Sequence, residues 1–97
     1  MATLVLLEGK AKPGKATNLL ALLRDELPAT RRYDGCRGVT AHTSTEDDHA
    51  LVLVEHWDSH AHYERYIAWR RETGVLARLV ALFESPPQIR YFEPQDL

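Results

Sequence analysis

Five residues in one short stretch carry the chemistry that this sequence offers: Glu55, Trp57, Tyr63, Tyr66 and Arg70. Glu55 and Trp57 stand two apart in the apolar run Val52-Leu-Val-Glu55-His56-Trp57, so an extended strand projects both from the same face. Asp58 and Ser59 then offer N-cap chemistry, and Tyr63, Tyr66, Ile67 and Arg70 follow at helical spacing. A tryptophan, two tyrosines and an arginine can converge where one sheet face meets one helix. That combination builds an aromatic pocket with a few hydrogen-bond donors. The expected catalytic set is therefore Trp57, Tyr63, Tyr66 and Arg70. Glu55 and the apolar Leu53, Ile67 and Leu23 are the expected substrate contacts.

Each of these residues also has a plainer reading. Trp57 suits a core as well as a pocket. Glu55 is either a base or a solvent-facing cross-strand partner of an arginine. Tyr63 and Tyr66 share a helix face, as core residues also do. Arg70, Arg71 and Arg78 all fit a solvated face, with Arg70 the best placed for a pocket.

Metal chemistry has weak support. His56, His60 and His62 are close in sequence, yet His56 opposes Trp57 on the strand. His60 and His62 diverge by roughly 200° at helical pitch, whereas helical ligand pairs normally sit four apart. No metal site is expected. Cys36 has no activating partner in the sequence, so it reads as a quiet thiol. Haem is disfavoured, because the second helix has no histidine after His62.

The elements that position these residues follow from periodicity. Thr3–Leu7 reads as a buried strand. Pro13-Gly14 opens a helix on which Ala16, Leu19, Leu20, Leu23 and Leu27 form one apolar stripe, and Pro28 ends it. Ala29 to Gly35 reads as a polar loop. Gly38–Thr43 and Ala50–Trp57 pair as strands around the solvated loop Ser44–His49. A helix is expected over Ser59–Thr73, with Gly74 at its C-terminal cap and a second segment over Val75–Phe83. Pro86-Pro87 precedes a last strand, Gln88–Phe92. The order β-α-β-β-α-β is the split βαβ, ferredoxin-like arrangement of the α+β class, an antiparallel sheet with helices on one face, in a single domain over residues 1–97.

One pattern points beyond the monomer. Leu51 and Leu53 fall on one face of the third strand, but Val52 and Val54 fall on the other. Leu4 to Leu7 repeats this in the first strand. Two helices cover only one face, so a second sheet packed on the other, in a twofold homodimer, is the simple solution.

Composition narrows the function classes. A net charge of −2 leaves no dominant basic face for tracking phosphates, so nucleic-acid binding is not expected. The lone Cys36 allows no internal disulfide and suits a reducing compartment. The run Leu4–Leu7 is too short for a secretory segment, and no stretch approaches a membrane span, so a cytoplasmic protein is expected.

The chain resembles the antibiotic biosynthesis monooxygenase family. The carriers are Lys12-Pro13-Gly14-Lys15, Asp34-Gly35-Cys36, Glu55-His56-Trp57-Asp58-Ser59 and the closing Pro86-Pro87-Gln-Ile-Arg-Tyr-Phe-Glu-Pro94, in that order over nearly the whole chain. The resemblance implies a dimeric α+β barrel, with a pocket between sheet and helices in each subunit. It also implies relatives that turn anthrones or hydroquinones into quinones without a cofactor, beside others that degrade haem or catalyse cyclisation. Trp57 matches the family's pocket tryptophan, with Glu55 its neighbour on the strand. Tyr63 falls where some anthrone oxygenases have a pocket tyrosine. Tyr66 stands where many members place a histidine, which favours a phenol donor over an imidazole base. The pocket asparagine of some members has no counterpart, since Asn18 lies in the first helix.

Two functional readings follow. The leading one is a monooxygenase that needs no cofactor, with dioxygen as co-substrate, acting on a phenolic or polycyclic aromatic small molecule. The alternative is a cofactor-free cyclase or a non-catalytic binding protein using the same pocket.

Overall fold

The computed structural model describes residues 2–97. Its elements run β1 (Thr3–Lys10), α1 (Ala16–Arg32), β2 (Cys36–Thr43), β3 (Ala50–Trp57), α2 (His60–Thr73), α3 (Val75–Ala81) and β4 (Gln88–Phe92). The strands form one antiparallel sheet in the order β2-β3-β1-β4. β3 is thus inserted between the two strands that α1 connects, and this is the split βαβ arrangement.

The alternation that makes β3 a strand also sets its two faces. Leu51, Leu53, Glu55 and Trp57 are buried under the helices, while Ala50, Val52, Val54 and His56 face the other way. In β1, Thr3, Val5 and Leu7 point inward in the same manner. The outer face keeps half-buried Leu4, Leu6, Val52 and Val54, with Phe92 exposed beside Leu4.

Two local expectations are corrected. Lys12-Pro13-Gly14-Lys15 is a turn that precedes the helix and does not open it. Lys15 N–H donates to the Lys12 carbonyl at 2.9 Å, and Gly14 has φ +75°. Proline second and a positive-φ glycine third are what a type II turn requires. The larger correction is Pro28, which lies inside α1 and does not end it. Its ring removes the helical hydrogen bond to the Arg24 carbonyl, but Arg24 and Pro28 are both exposed, on the solvent side of the helix where that loss is tolerated. The last turn is held from its other side, because Thr30 continues the buried stripe of Leu19, Leu23 and Leu27.

At the other end of the fold, Ser59 caps α2 by accepting from His62 N–H at 3.1 Å. Gly74, at φ +84°, ends α2 in the left-handed conformation and lets the chain turn into α3. α3 stops at Ala81, short of Phe83, because Phe83 forms a bridge to Ala11 at the end of β1.

Under the sheet the core divides in two. An aliphatic cluster includes Leu7, Leu19, Leu23, Leu27, Leu53 and Leu79. An aromatic cluster joins Val5, Trp57, Tyr63 and Tyr66. Glu55, Thr30 and Arg70 are buried as well, and they carry the polar groups found at the seam between the two clusters.

Candidate active site

The seam holds a cavity. Its enclosed space is about 40 Å³, inside a wider concavity of about 490 Å³ that includes open solvent. Leu7 and Leu53 from the sheet, Leu23 and Leu27 from α1, and Ile67 and Leu79 from α2 and α3 form its apolar walls. Glu55, Tyr63, Tyr66, Arg70, Thr30 and Glu26 supply all of its polar groups. Residues at the inner end are buried, whereas Leu22, Glu26, Val75 and Leu76 stay half-buried and mark the mouth between α1 and the α2–α3 junction. The enclosed space takes water molecules, while ligand sites run to roughly 300 Å³ and more, so an aromatic ligand requires this mouth to widen.

Glu55 lies at the inner end of the site, with Trp57 packed behind it. The Trp57 indole Nε1–H donates to Glu55 Oε1 at 3.0 Å, and both residues are almost fully buried. Among the described residues no cation pairs with Glu55, and Oε2 accepts no hydrogen bond. Burial therefore disfavours the carboxylate and pushes its pKa from the ordinary 4.5 to about 7, with the Trp57 N–H partly opposing the rise.

On α2, Tyr63, Tyr66 and Arg70 fall on one helical face and are all buried. Tyr66 Oη shares a hydrogen bond of 2.7 Å with Thr30 Oγ1 and accepts from Arg70 Nε at 3.0 Å. Arg70 then reaches α1, donating to Glu26 Oε1 at 3.0 Å, to the Glu26 carbonyl at 2.7 Å and to Thr30 Oγ1 at 3.0 Å. Arg78 adds a looser contact to Glu26 Oε2 at 3.4 Å. Tyr63 differs: its hydroxyl is buried and has no hydrogen-bond partner among the described residues. Burial, and after it the negative charge of Glu55, raise its pKa, so this phenol stays neutral. Tyr66 is also shifted upward by burial. The rings pack closely, with Trp57 centroids 5.6 Å from Tyr63 and 4.9 Å from Tyr66.

The antibiotic biosynthesis monooxygenase family matches residues 3–75, which spans β1 to the start of α3. The chain belongs to the antibiotic biosynthesis monooxygenase family. Among curated proteins, none matches the chain. Among solved structures, a conserved protein from Methanosarcina mazei Go1 matches with a TM-score of 0.89 at 17% identity, over 98% of this chain and 94% of that one. Rv0793 from Mycobacterium tuberculosis matches with a TM-score of 0.87 at 24% identity, over 100% and 98%. A mutant of SnoaB, a cofactor-independent oxygenase from Streptomyces nogalater, matches with a TM-score of 0.84 at 16% identity, over 99% and 95%. At such identities these three establish a shared fold.

In this monooxygenase-family fold, Tyr63, Tyr66, Arg70, Glu55, Leu53, Ile67 and Leu23 all line the cavity. Trp57 does not, which corrects the expectation of an indole N–H facing the ligand: that N–H is already held by Glu55. Arg70 is no solvated arginine, because the residue is 4% exposed and its guanidinium is spent on α1. The three neighbouring histidines do not converge. His56 is exposed on the outer face, His60 pairs with Glu64 at 2.9 Å, and His62 meets Ser59 Oγ at 2.6 Å. No helix among the described residues is long and apolar enough to cross a membrane.

Glu26 and Thr30 escaped the sequence reading. Thr30 extends the stripe of Leu23 and Leu27 by one further helical step, and Glu26 sits beside it. Reading Pro28 as the end of the helix hid that signal.

Proposed function

We propose that this member of the antibiotic biosynthesis monooxygenase family is a cofactor-independent oxygenase that converts an activated phenolic or polycyclic aromatic molecule, of anthrone or hydroquinone type, to a quinone with dioxygen. One observation carries this reading: an apolar cavity whose inner end holds an unpartnered phenol, Tyr63, beside a buried carboxyl, Glu55. SnoaB, a cofactor-independent oxygenase of the same fold, supports it.

The chemistry asks little of the protein. An anthrone-like methylene loses a proton to give a carbanion stabilised by its rings, and the carbanion passes an electron to dioxygen. Overall the methylene and one dioxygen become a carbonyl and one water. The protein binds the flat ring system, excludes water and holds the developing oxyanion. Tyr63 is the donor available for that oxyanion. Leu23, Leu53 and Ile67 contact the ring faces. Tyr66 and Arg70, fixed by Thr30 and Glu26, shape the far wall and place positive charge beside it. A second copy of the chain covers the outer sheet face, where Leu4, Leu6, Val52 and Val54 lie together.

The test is oxygen uptake and quinone formation by the purified protein with a panel of anthrones and hydroquinones, with metals chelated. Turnover that persists under chelation is expected. Ring binding without oxygen uptake would instead favour the cyclase or binding-protein reading.

A further inference from the structure

Glu55 is an unusual residue for an apolar core. It is 3% exposed, and among the described residues it lacks a counter-ion. It projects into the cavity from the middle of the sheet. A leucine there would pack without the penalty of burying a carboxyl. The groups that face it are neutral acids or distant charges: Tyr63 and Tyr66 from α2, Tyr91 from β4 and Cys36 from β2. Arg70 is turned away, held by Glu26 and Thr30 of α1. Among the described residues its one direct partner is Trp57, whose Nε1–H donates to Oε1, so Oε2 is left without a hydrogen bond in a residue that lines the cavity.

We propose that Glu55 is the base that ionises the bound aromatic substrate, and that Trp57 is its positioning residue. The inference deepens the oxygenase reading and rests on it. In the step assigned to Glu55, the acidic C–H or O–H bond of the substrate breaks. Its proton passes to Oε2, and the bonding pair stays on the substrate as carbanion or phenolate. The Trp57 N–H keeps the carboxyl from rotating and delivers Oε2 to the same edge of the ligand that meets the Tyr63 hydroxyl. Acceptor and donor thus select a ligand edge with one acidic hydrogen and one carbonyl oxygen, within a flat apolar body. A base that ionises near neutrality matches the operating pH, where general-base catalysis is most efficient.

Removing dioxygen separates this step from the oxidation. Anthrone is added anaerobically, binding is followed by quenching of tryptophan fluorescence, and the carbanion is followed by its visible absorption. The wild type is expected to ionise bound anthrone with a midpoint near pH 7. Glu55→Gln keeps an acceptor for the Trp57 N–H and should still bind anthrone, with carbanion formation slowed by about a hundredfold, within the range of general-base contributions to rate. Trp57→Phe removes the hydrogen bond that lowers the Glu55 pKa, so the midpoint should move to higher pH; loss of packing alone leaves it in place. An infrared difference spectrum of the wild type should show carboxylate converted to carboxylic acid as anthrone ionises, which requires no variant to fold. Equal ionisation by Glu55→Gln, or bound anthrone that stays neutral in the wild type, overturns the assignment. Oxygen uptake without anaerobic ionisation removes Glu55 as base and leaves the oxygenase reading standing. Ionisation without oxygen uptake does the reverse, and failure to bind anthrone removes both.

Discussion

Trp57 and Glu55 sit two residues apart on β3, and the indole Nε1–H of one donates to the carboxyl Oε1 of the other at 3.0 Å. The pair is built along a single strand, so its geometry is set by the pleat and not by the packing of two elements. Among the described residues it gives a buried acid one fixed hydrogen bond and no neutralising charge.

The first consequence is a pH-dependent stability. An unfolded chain releases the Glu55 proton near 4.5, and the folded one near 7. Between those values the folded state holds the extra proton, so stability falls as pH rises through the window and the loss is complete above it. The gap corresponds to about 3 kcal/mol. Glu55→Gln should remove this component. In urea unfolding, the difference between variant and wild type should grow in the variant's favour from pH 5 to pH 8. Parallel curves for the two proteins would show that Glu55 ionises normally.

Tyr63→Phe should separate stability from function. The lost hydroxyl is buried without a partner, and leaving such a group unsatisfied costs about 1–3 kcal/mol. Its removal should leave the unfolding free energy unchanged or raise it. Quinone formation should meanwhile fall by about a hundredfold, as for loss of one oxyanion donor. Tyr66→Phe provides the contrast, because it breaks bonds to Thr30 and Arg70 and should destabilise. A Tyr63→Phe protein with normal turnover would return Tyr63 to the core.

Arg70 and Thr30 latch α2 onto α1. Arg70→Met leaves Glu26 and Thr30 without their buried cation and should cost about 3 kcal/mol in urea unfolding. Thr30→Val should cost about 1 kcal/mol, from the bond to Tyr66. Because both act in one network, the double variant should lose less than the sum, by at least about 0.5 kcal/mol. Strict additivity would mean that the two residues act independently.

The outer sheet face leads to an assembly prediction. Val54 lies opposite Leu6 in the register and is half-buried on the face away from the helices. Sedimentation at micromolar concentration should give a dimer, and Val54→Asp should give a monomer that keeps its helical circular dichroism. A wild type that sediments as a monomer would remove the second copy from that face.

Local periodicity made much of this protein legible in its sequence. The alternation in Ala50–Trp57 placed Leu53, Glu55 and Trp57 on one face, and the spacing of Tyr63, Tyr66 and Arg70 placed them on one side of α2. Ser59 and Gly74 marked the ends of that helix through capping chemistry that involves only near neighbours. What the sequence could not show was the partner each polar group would take. Arg70 finds Glu26 and Thr30 from more than one-third of the chain away, and those bonds make the candidate pocket cation a buried brace. The same docking holds the last turn of α1 beyond Pro28, where proline's local preference alone predicted an end. Tertiary packing also left the Tyr63 hydroxyl without a partner among the described residues. Side-chain direction follows from backbone period, but hydrogen bonding depends on which distant elements come together, and that is decided only when the helices settle on the sheet.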